Sequence, residues 1–539
     1  MAKKVNKSES FNLTCQNIIS TAVGIFVLIL FLLFPLYYDD FYYNILVTKW
    51  GFYCKCAVSI LAVSAFLGLV FMFVDFTEFG GQNTKAAISK LLPENWKRTF
   101  SLADGAVILF LVVCAVSTLQ SDYRMEAFTG EQGRRTGLAL TFLYVSVYFL
   151  VSRFWNVKNW ILEVFLVSGV LLCILGIGDY FHLDWLGFHE NISEEHRDIY
   201  VSTIGNINTY TAYVALVMGF ASAMYVGSDK ILNTCWYYFC MVISFFAIIM
   251  GCSDNAYLAL AALFGFLPLL AFGSGRGIYR YFVMIATFFT VVLCIDLLNT
   301  QFAAIVIGLD SLFGVIASQK ALVPGVCVLW AMAAGLFWWE QKKPDSELLG
   351  KKIPLYLWCA LIGLVFLTVV YMLFDVNIAG NAQRYGALSG YLEFNDSWGT
   401  NRGYIWRKTW ETFGEFSFVR KLFGYGPDTF RLLTYEYFYD EMTVVTGQKF
   451  DSVHNEYLQY LVTIGALGVL TYLTFLISAG CQMLKSAFDH PYAKAIFMAV
   501  FCYLIQAIVN INLPIVTPMV WLLLSCGGAM YRMYIKARA

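Results

Sequence analysis

Long, unbroken apolar blocks constrain this chain more than any other feature. Ile18 to Tyr38 reads IISTAVGIFVLILFLLFPLYY, and comparable runs recur to the end of the sequence. A helix needs about 20 apolar residues to cross the hydrocarbon core of a bilayer, whereas the strands of a membrane barrel alternate over about ten. Spans are expected at roughly 18–38, 52–75, 104–120, 136–153, 160–180, 205–226, 232–250, 255–273, 279–298, 321–339, 354–374, 454–480, 493–511 and 514–534, about 14 in all. The expected fold class is an all-α polytopic membrane protein. Composition agrees, with 59% hydrophobic and 13% charged residues, against about 25% charged in soluble chains. The zero formal net charge carries no signal for nucleic acid, so the lipid bilayer is the expected partner.

Charge placement sets the topology. The block 301–318 contains Asp310 and is barely long enough to cross. With that block left out of the count, 21 of the 36 basic residues fall on the N-terminal side, from Lys3, Lys4 and Lys7 to Arg532, Lys536 and Arg538. Counting it as a crossing moves the KKPDSELLGKK segment to the other side, so we read 301–318 as re-entrant or interfacial. Both termini are then cytoplasmic, and the chain divides into three parts. Residues 1–374 form a membrane domain of about 11 spans, 375–453 one long outer loop, and 454–539 three further spans. MAKKVNKSES lacks a cleavage site after the first apolar run, so no removable signal is expected. The 14 cysteines lie mostly in apolar blocks without CxxC spacing and read as small core thiols.

Intramembrane charges usually mark ion pathways, but no mid-span lysine or arginine stands out here. Polar chemistry gathers in and around the outer loop. From Thr400 to Phe413 the loop fits a helix that places Arg402, Trp406 and Trp410 on one face. Arginine suits phosphate through forked hydrogen bonds, or it snorkels at the headgroup level. Gly424-Tyr425-Gly426-Pro427-Asp428 reads as a turn with Pro427 near a first helical position. In FDSVHNEYLQYL, Asp451 or Ser452 would cap a helix and set His454 in its first turn, where the dipole favours neutral imidazole. GRRTG offers Arg134 and Arg135 to an anion, or to Asp122, Glu126 and Glu131. His182, His189 and His196 share a seven-residue spacing, and Asp39-Asp40 form an acidic pair. Both read primarily as polar loop, with a metal as the alternative.

NRGYIW, LFGYGPDTF and SVHNEYLQYLVTIGALGVL, within residues 400–473, closely resemble the bacterial O-antigen ligase and O-antigen polymerase superfamily. IGNINTYTAYVAL and GRRTGLAL resemble its earlier motifs. The resemblance implies a lipid-linked glycosyltransferase of the bacterial plasma membrane with an extracytoplasmic site. The donor would be an undecaprenyl-diphosphate-linked glycan and the acceptor a glycan or glycolipid hydroxyl. Transfer would invert configuration without metal or cofactor, within an envelope-polysaccharide biosynthetic complex. The family's histidine maps onto His454 and its loop arginine onto Arg402. GCSDNAYLAL departs from the pattern: Asp254-Asn255 stand where many members carry a serine–arginine pair.

On this reading His454 is a general base on the acceptor hydroxyl. Arg402, with Arg134, Arg135 or Arg407, holds the diphosphate. Tyr425, Trp406, Asn206, Tyr210 and Asn455 line the sugar or prenyl path. Polymerisation is preferred to ligation. The alternatives are a transporter or flippase, and a metal-dependent transferase resting on Asp39-Asp40.

Overall fold

The computed structural model describes residues 7–309, 312–342, 352–487 and 489–538. Asp310, Lys3, Lys4 and the KKPDSELLGKK segment from Lys343 to Lys351 lie outside them. The membrane helices are α1 (Lys7–Leu32), α2 (Ile45–Phe79), α3 (Leu102–Gln120), α4 (Leu138–Phe154), α5 (Asn159–Tyr180), α6 (Ile207–Gly227), α7 (Ile231–Met250), α8 (Asn255–Ala271), α9 (Gly275–Gln301), α10 (Leu322–Lys342) and α11 (Ile353–Asn377). The loop helix α12 (Trp398–Glu415) follows, and then α13 (Glu456–Ser486), α14 (Pro491–Gln506) and α15 (Thr517–Arg538). Eleven of these helices are long and apolar enough to cross a membrane, while α4 and α8 are shorter apolar helices. Each of the expected apolar blocks thus has a helix, and the protein is an all-α, multi-pass membrane protein.

Helix α6 is the axis of the bundle and is buried from Thr209 through Val226. Its small residues let neighbours approach. A Cβ on Gly219 would stand 2.7 Å from the Met498 carbonyl of α14, the close backbone approach on which membrane helix pairs rely. By contrast, only Asp375 and Val376 of α11 are buried, so this helix sits on the rim. Between α9 and α10 the described residues form turns and one short helix, Leu312–Ala317. Ile307 donates to the Tyr180 carbonyl at 3.1 Å, tying this stretch to the end of α5.

Helix α2 starts at Ile45, seven residues before the expected span, and brings Lys49 fully inside. The ammonium group donates to the carbonyls of Phe34, Pro35 and Tyr37 at 2.9, 2.9 and 3.0 Å. A buried lysine is tolerated here because all three donors meet acceptors that the end of α1 leaves free.

The two ends of the bundle are chemically distinct. Asp104, in the first turn of α3, pairs with Arg153 at 2.7 Å and Arg532 at 3.6 Å. At the far end of α3, Gln120 donates to the Gly424 carbonyl of the long loop at 3.3 Å. Nineteen residues of helix separate these ends, about 28 Å at 1.5 Å per residue. The loop and the cluster around Arg153 and Arg532 therefore occupy opposite ends.

The expected single span 454–480 is broken. Gly465 has φ 73° and ψ 180°, and Glu456 meets the Tyr472 hydroxyl at 2.7 Å although sixteen residues separate them. A straight helix would hold those positions about 24 Å apart. Residues 456–464 are thus a half-helix folded back against the span that follows. Only glycine fits the bend, since a Cβ on Gly465 would lie 2.3 Å from the Leu422 carbonyl and the positive φ is costly for other residues. Gly465→Ala is expected to lower stability by about 3 kcal/mol or more, read as an earlier thermal transition of the purified protein.

Candidate functional site

The half-helix and the long loop share one apolar core. Tyr404, Ile405, Phe416, Tyr425, Phe430 and Phe450 of the loop pack with Leu458 and Val462. The loop therefore docks onto the folded-back segment and fixes the turn that carries His454. In that turn each residue has a defined task. The Ser452 hydroxyl accepts from the His454 amide at 3.0 Å. The Gln459 side chain accepts from the Val453 amide at 2.9 Å, and Trp406 Nε1 donates to the Val453 carbonyl at 3.0 Å. Asn455 caps the half-helix, its Oδ1 accepting from the amides of Tyr457 and Leu458 at 3.1 and 3.0 Å.

These contacts correct the sequence reading. Asn455 is the cap in place of Asp451 or Ser452, because His454 itself turns left-handed, with φ 55°. His454 thus precedes the helix, and the helix dipole does not act on it from within the first turn.

His454 and Arg402 line one hollow of about 450 Å³, together with Asn208, Lys449, Phe450 and Asp451. Arg402 enters it directly after three left-handed residues, Gly399, Thr400 and Asn401. Its guanidinium donates to the Asn255 side chain at 3.4 Å. Asn255 thus steadies Arg402. Asn208 accepts from Ser253 at 2.7 Å, and its carbonyl accepts from Asn510 at 3.0 Å. Four separate chain segments therefore converge at this end of the bundle.

Arg134 approaches from the far side of the His454 turn. Its guanidinium makes a close ion pair with Asp451, and its Nε donates to the Asp451 carbonyl at 3.2 Å. Burial opposes ionisation of Asp451, but Arg134 overrides this and holds the carboxyl below its ordinary range. Arg134 also lines a smaller cavity of about 30 Å³ with Asn455 and Glu456, room for about one water. The GYGP turn anchors the loop that bears it. Asp428 accepts from the amides of Glu131 and Thr136, both at 2.9 Å, while burial pushes its carboxyl up to about 6. The Gly426 amide donates to the Thr463 carbonyl at 2.7 Å. The first helix after Pro427 starts only at Phe430, so this turn is structural and does not present its amides to a ligand.

The other expected site residues are elsewhere. Arg135 stacks on Trp50, 4.8 Å from the ring centre. Arg407 is committed to Asp396 and Glu411, each at 2.8 Å. Tyr425 is in the loop core, its hydroxyl 2.8 Å from that of Tyr437. Asn206 caps α6 through the Asn208 amide at 2.9 Å. Tyr210 is wholly buried against Gly176 and Gly251, because this face of α6 packs between α5 and α7. Trp406 reaches the site only through Val453.

The spaced histidines do not share a helical face. His182 sits in a turn and His196 in the short helix Glu194–Arg197, while His189 joins Asp179 and Asp184 in a group whose ligand atoms lie within 4.8 Å of one another. Each is already committed. Asp179 accepts from the Ser202 amide at 2.6 Å, Asp184 meets His189 Nδ1 at 3.0 Å, and His189 Nε2 meets the Tyr200 carbonyl at 2.8 Å.

Sequence reading missed Asn208 and Lys449 of the hollow. A signal existed for the first: NIN occurs at both 206–208 and 510–512, where polar residues interrupt apolar blocks.

Residues 302–473 match the family described as O-antigen ligase, a stretch running from the end of α9 through the loop to the beginning of the returning span. That match supports a likeness to the O-antigen ligase/polymerase superfamily over this third of the chain. No curated protein matches it. The match points to ligase- or polymerase-type glycan transfer in general, in a membrane setting. The matched stretch contains both Arg402 and His454, whereas Asn208 and Arg134 come from outside it.

Burial, Arg402 and Arg134 together lower His454 from its ordinary value to about 3, against the opposing pull of Asp451. His454 is therefore neutral at physiological pH. An imidazole whose folded value lies below its unfolded value binds fewer protons in the native state, so stability rises with pH between about 3 and 6.5. Acidification below about pH 6.5 is expected to destabilise the protein, and His454→Asn should flatten that slope in thermal unfolding followed against pH. Asp428→Ala, which strands two buried amides, is expected to cost about 2 kcal/mol in the same unfolding measurement at neutral pH.

Proposed function

We propose that this protein transfers a glycan from undecaprenyl diphosphate to a sugar hydroxyl at the outer face of a bacterial plasma membrane, with inversion and without a metal. The observation that carries the reading is that Arg402 and His454 line one hollow, at the end of the bundle remote from Arg153 and Arg532. By the tendency of basic residues to stay cytoplasmic, that remote end faces outward and both termini face the cytosol.

Glycosyl transfer needs a proton removed from the acceptor and a stabilised leaving diphosphate. His454 takes the acceptor proton, as the oxygen of that hydroxyl bonds to the anomeric carbon. The bond from that carbon to the diphosphate breaks, and Arg402 meets the charge that collects on the departing phosphate. A value near 3 makes His454 a poor base while the hollow holds no anion. A seated diphosphate offsets the two arginines that lower it, so the imidazole gains basicity when the donor is in place.

Arg134 acts behind the turn, through Asp451. Polymerisation remains our preference over ligation, because the loop closes on a compact core of its own rather than extending toward a large acceptor.

Purified His454→Ala and Arg402→Ala enzymes, assayed with a prenyl-diphosphate glycan, are each expected to lose about 10²–10⁴-fold in turnover. Near-normal turnover in either removes that residue's role. A chelator should leave the wild type fully active. Vesicle uptake without covalent product would favour transport instead. Single repeats in a deletion strain would mean polymerase, and long unattached glycan ligase.

A further inference from the structure

The family motif supplies one cation to the hollow, and a disubstituted diphosphate carries a negative charge on each phosphorus. The second cation is therefore the open question. Charge pairing around the loop narrows the answer. Arg407 is held by Asp396 and Glu411, Lys408 by Glu411 and Glu441, Arg420 by Asp122, and Arg431 by Glu131. Arg134 is spent on Asp451. That pair has a second consequence, because it cancels the only carboxylate lining the hollow. Asp254 influences Arg402 electrostatically but does not line the hollow. Two lining cations remain: Arg402 and Lys449.

Lys449 is exposed and has no ion pair among the described residues. Its ammonium group lies 5.6 Å from the Tyr439 ring centre and interacts with the hydroxyls of Tyr439 and Tyr435. It sits five residues before His454, on the stretch that Phe450 pins into the loop core. A lysine is a compact charge on a flexible stem, suited to following a phosphate that shifts as its bond to the sugar breaks.

We propose that Lys449 is the second phosphate-binding group of the hollow, holding one phosphate of a disubstituted prenyl diphosphate while Arg402 holds the other. The proposal rests on the glycan-transfer reading above and adds to it a second cation for the diphosphate. It also assigns Arg134 a positioning role: by neutralising Asp451 it keeps the hollow cationic.

The test uses the full-length protein in nanodiscs of zwitterionic lipid, with undecaprenyl-diphosphoryl N-acetylglucosamine as the probe. Lys449→Met keeps the stem and removes the charge, while Lys449→Arg keeps the charge. Lys449→Met is expected to weaken probe binding about tenfold, as loss of a charge-assisted contact does, and to reduce its dependence on salt. Lys449→Arg should bind within about threefold of the wild type. Thermal unfolding of both variants should match the wild type, since the side chain is exposed. Equal binding by Lys449→Met and the wild type overturns the proposal and leaves the function standing. A folded wild type that does not bind the probe overturns the glycan-transfer reading itself, and this proposal with it. If phosphatidylglycerol nanodiscs abolish the difference between Lys449→Met and wild type while probe binding persists, the lysine serves a lipid headgroup and the proposal falls.

Discussion

The break at Gly465 is the constraint on which the rest of the site depends. A continuous helix from Glu456 would carry His454 away from the bundle. The left-handed glycine turns the segment back, so that its first turn lies beside Tyr472, Tyr503 and Asn512, all of which hydrogen-bond to Glu456. Non-helical backbone at membrane depth is tolerated only where protein satisfies its polar groups. Here the Thr463 carbonyl, next to the break, accepts from Ser117 and Gly426. The loop and the break are therefore mutually dependent: the GYGP turn supplies a donor that the bend needs, and the bend supplies the surface on which the loop folds.

That arrangement also explains the electrostatics. The turn from Asp451 to Asn455 is a thin wall. On one side is the hollow with Arg402 and Lys449, and on the other Arg134 and a small cavity. Cations on both sides keep the imidazole neutral, and the Arg134–Asp451 pair leaves the hollow with an excess of positive charge.

How much of this was readable in the residues varies by element. The apolar blocks disclosed the helices because membrane burial demands about 20 apolar residues whatever the neighbours. NRGYIW and SVHNEYLQYL disclosed Arg402 and His454 through their likeness to known motifs. Tyr210 and Asn206 lay in a similar motif yet serve packing and capping. Arg407 shares a helix with Arg402, but one exposed turn away it meets Asp396. Lys449 passed unnoticed because a single lysine in a polar stretch has no local signature, and only its position beside Arg402 distinguishes it.

Sequence alone determined the class of fold and where the apolar helices run. These follow from composition and span length, which are local properties of the chain. Tertiary structure alone decided that α13 is two pieces, that Asn455 and not Asp451 caps it, and which arginines are already paired. Those outcomes depend on contacts between residues hundreds of positions apart, such as Arg134 with Asp451 and Arg402 with Asn255. No pattern along the chain records them, because a charge is free or spent only according to what folding brings beside it.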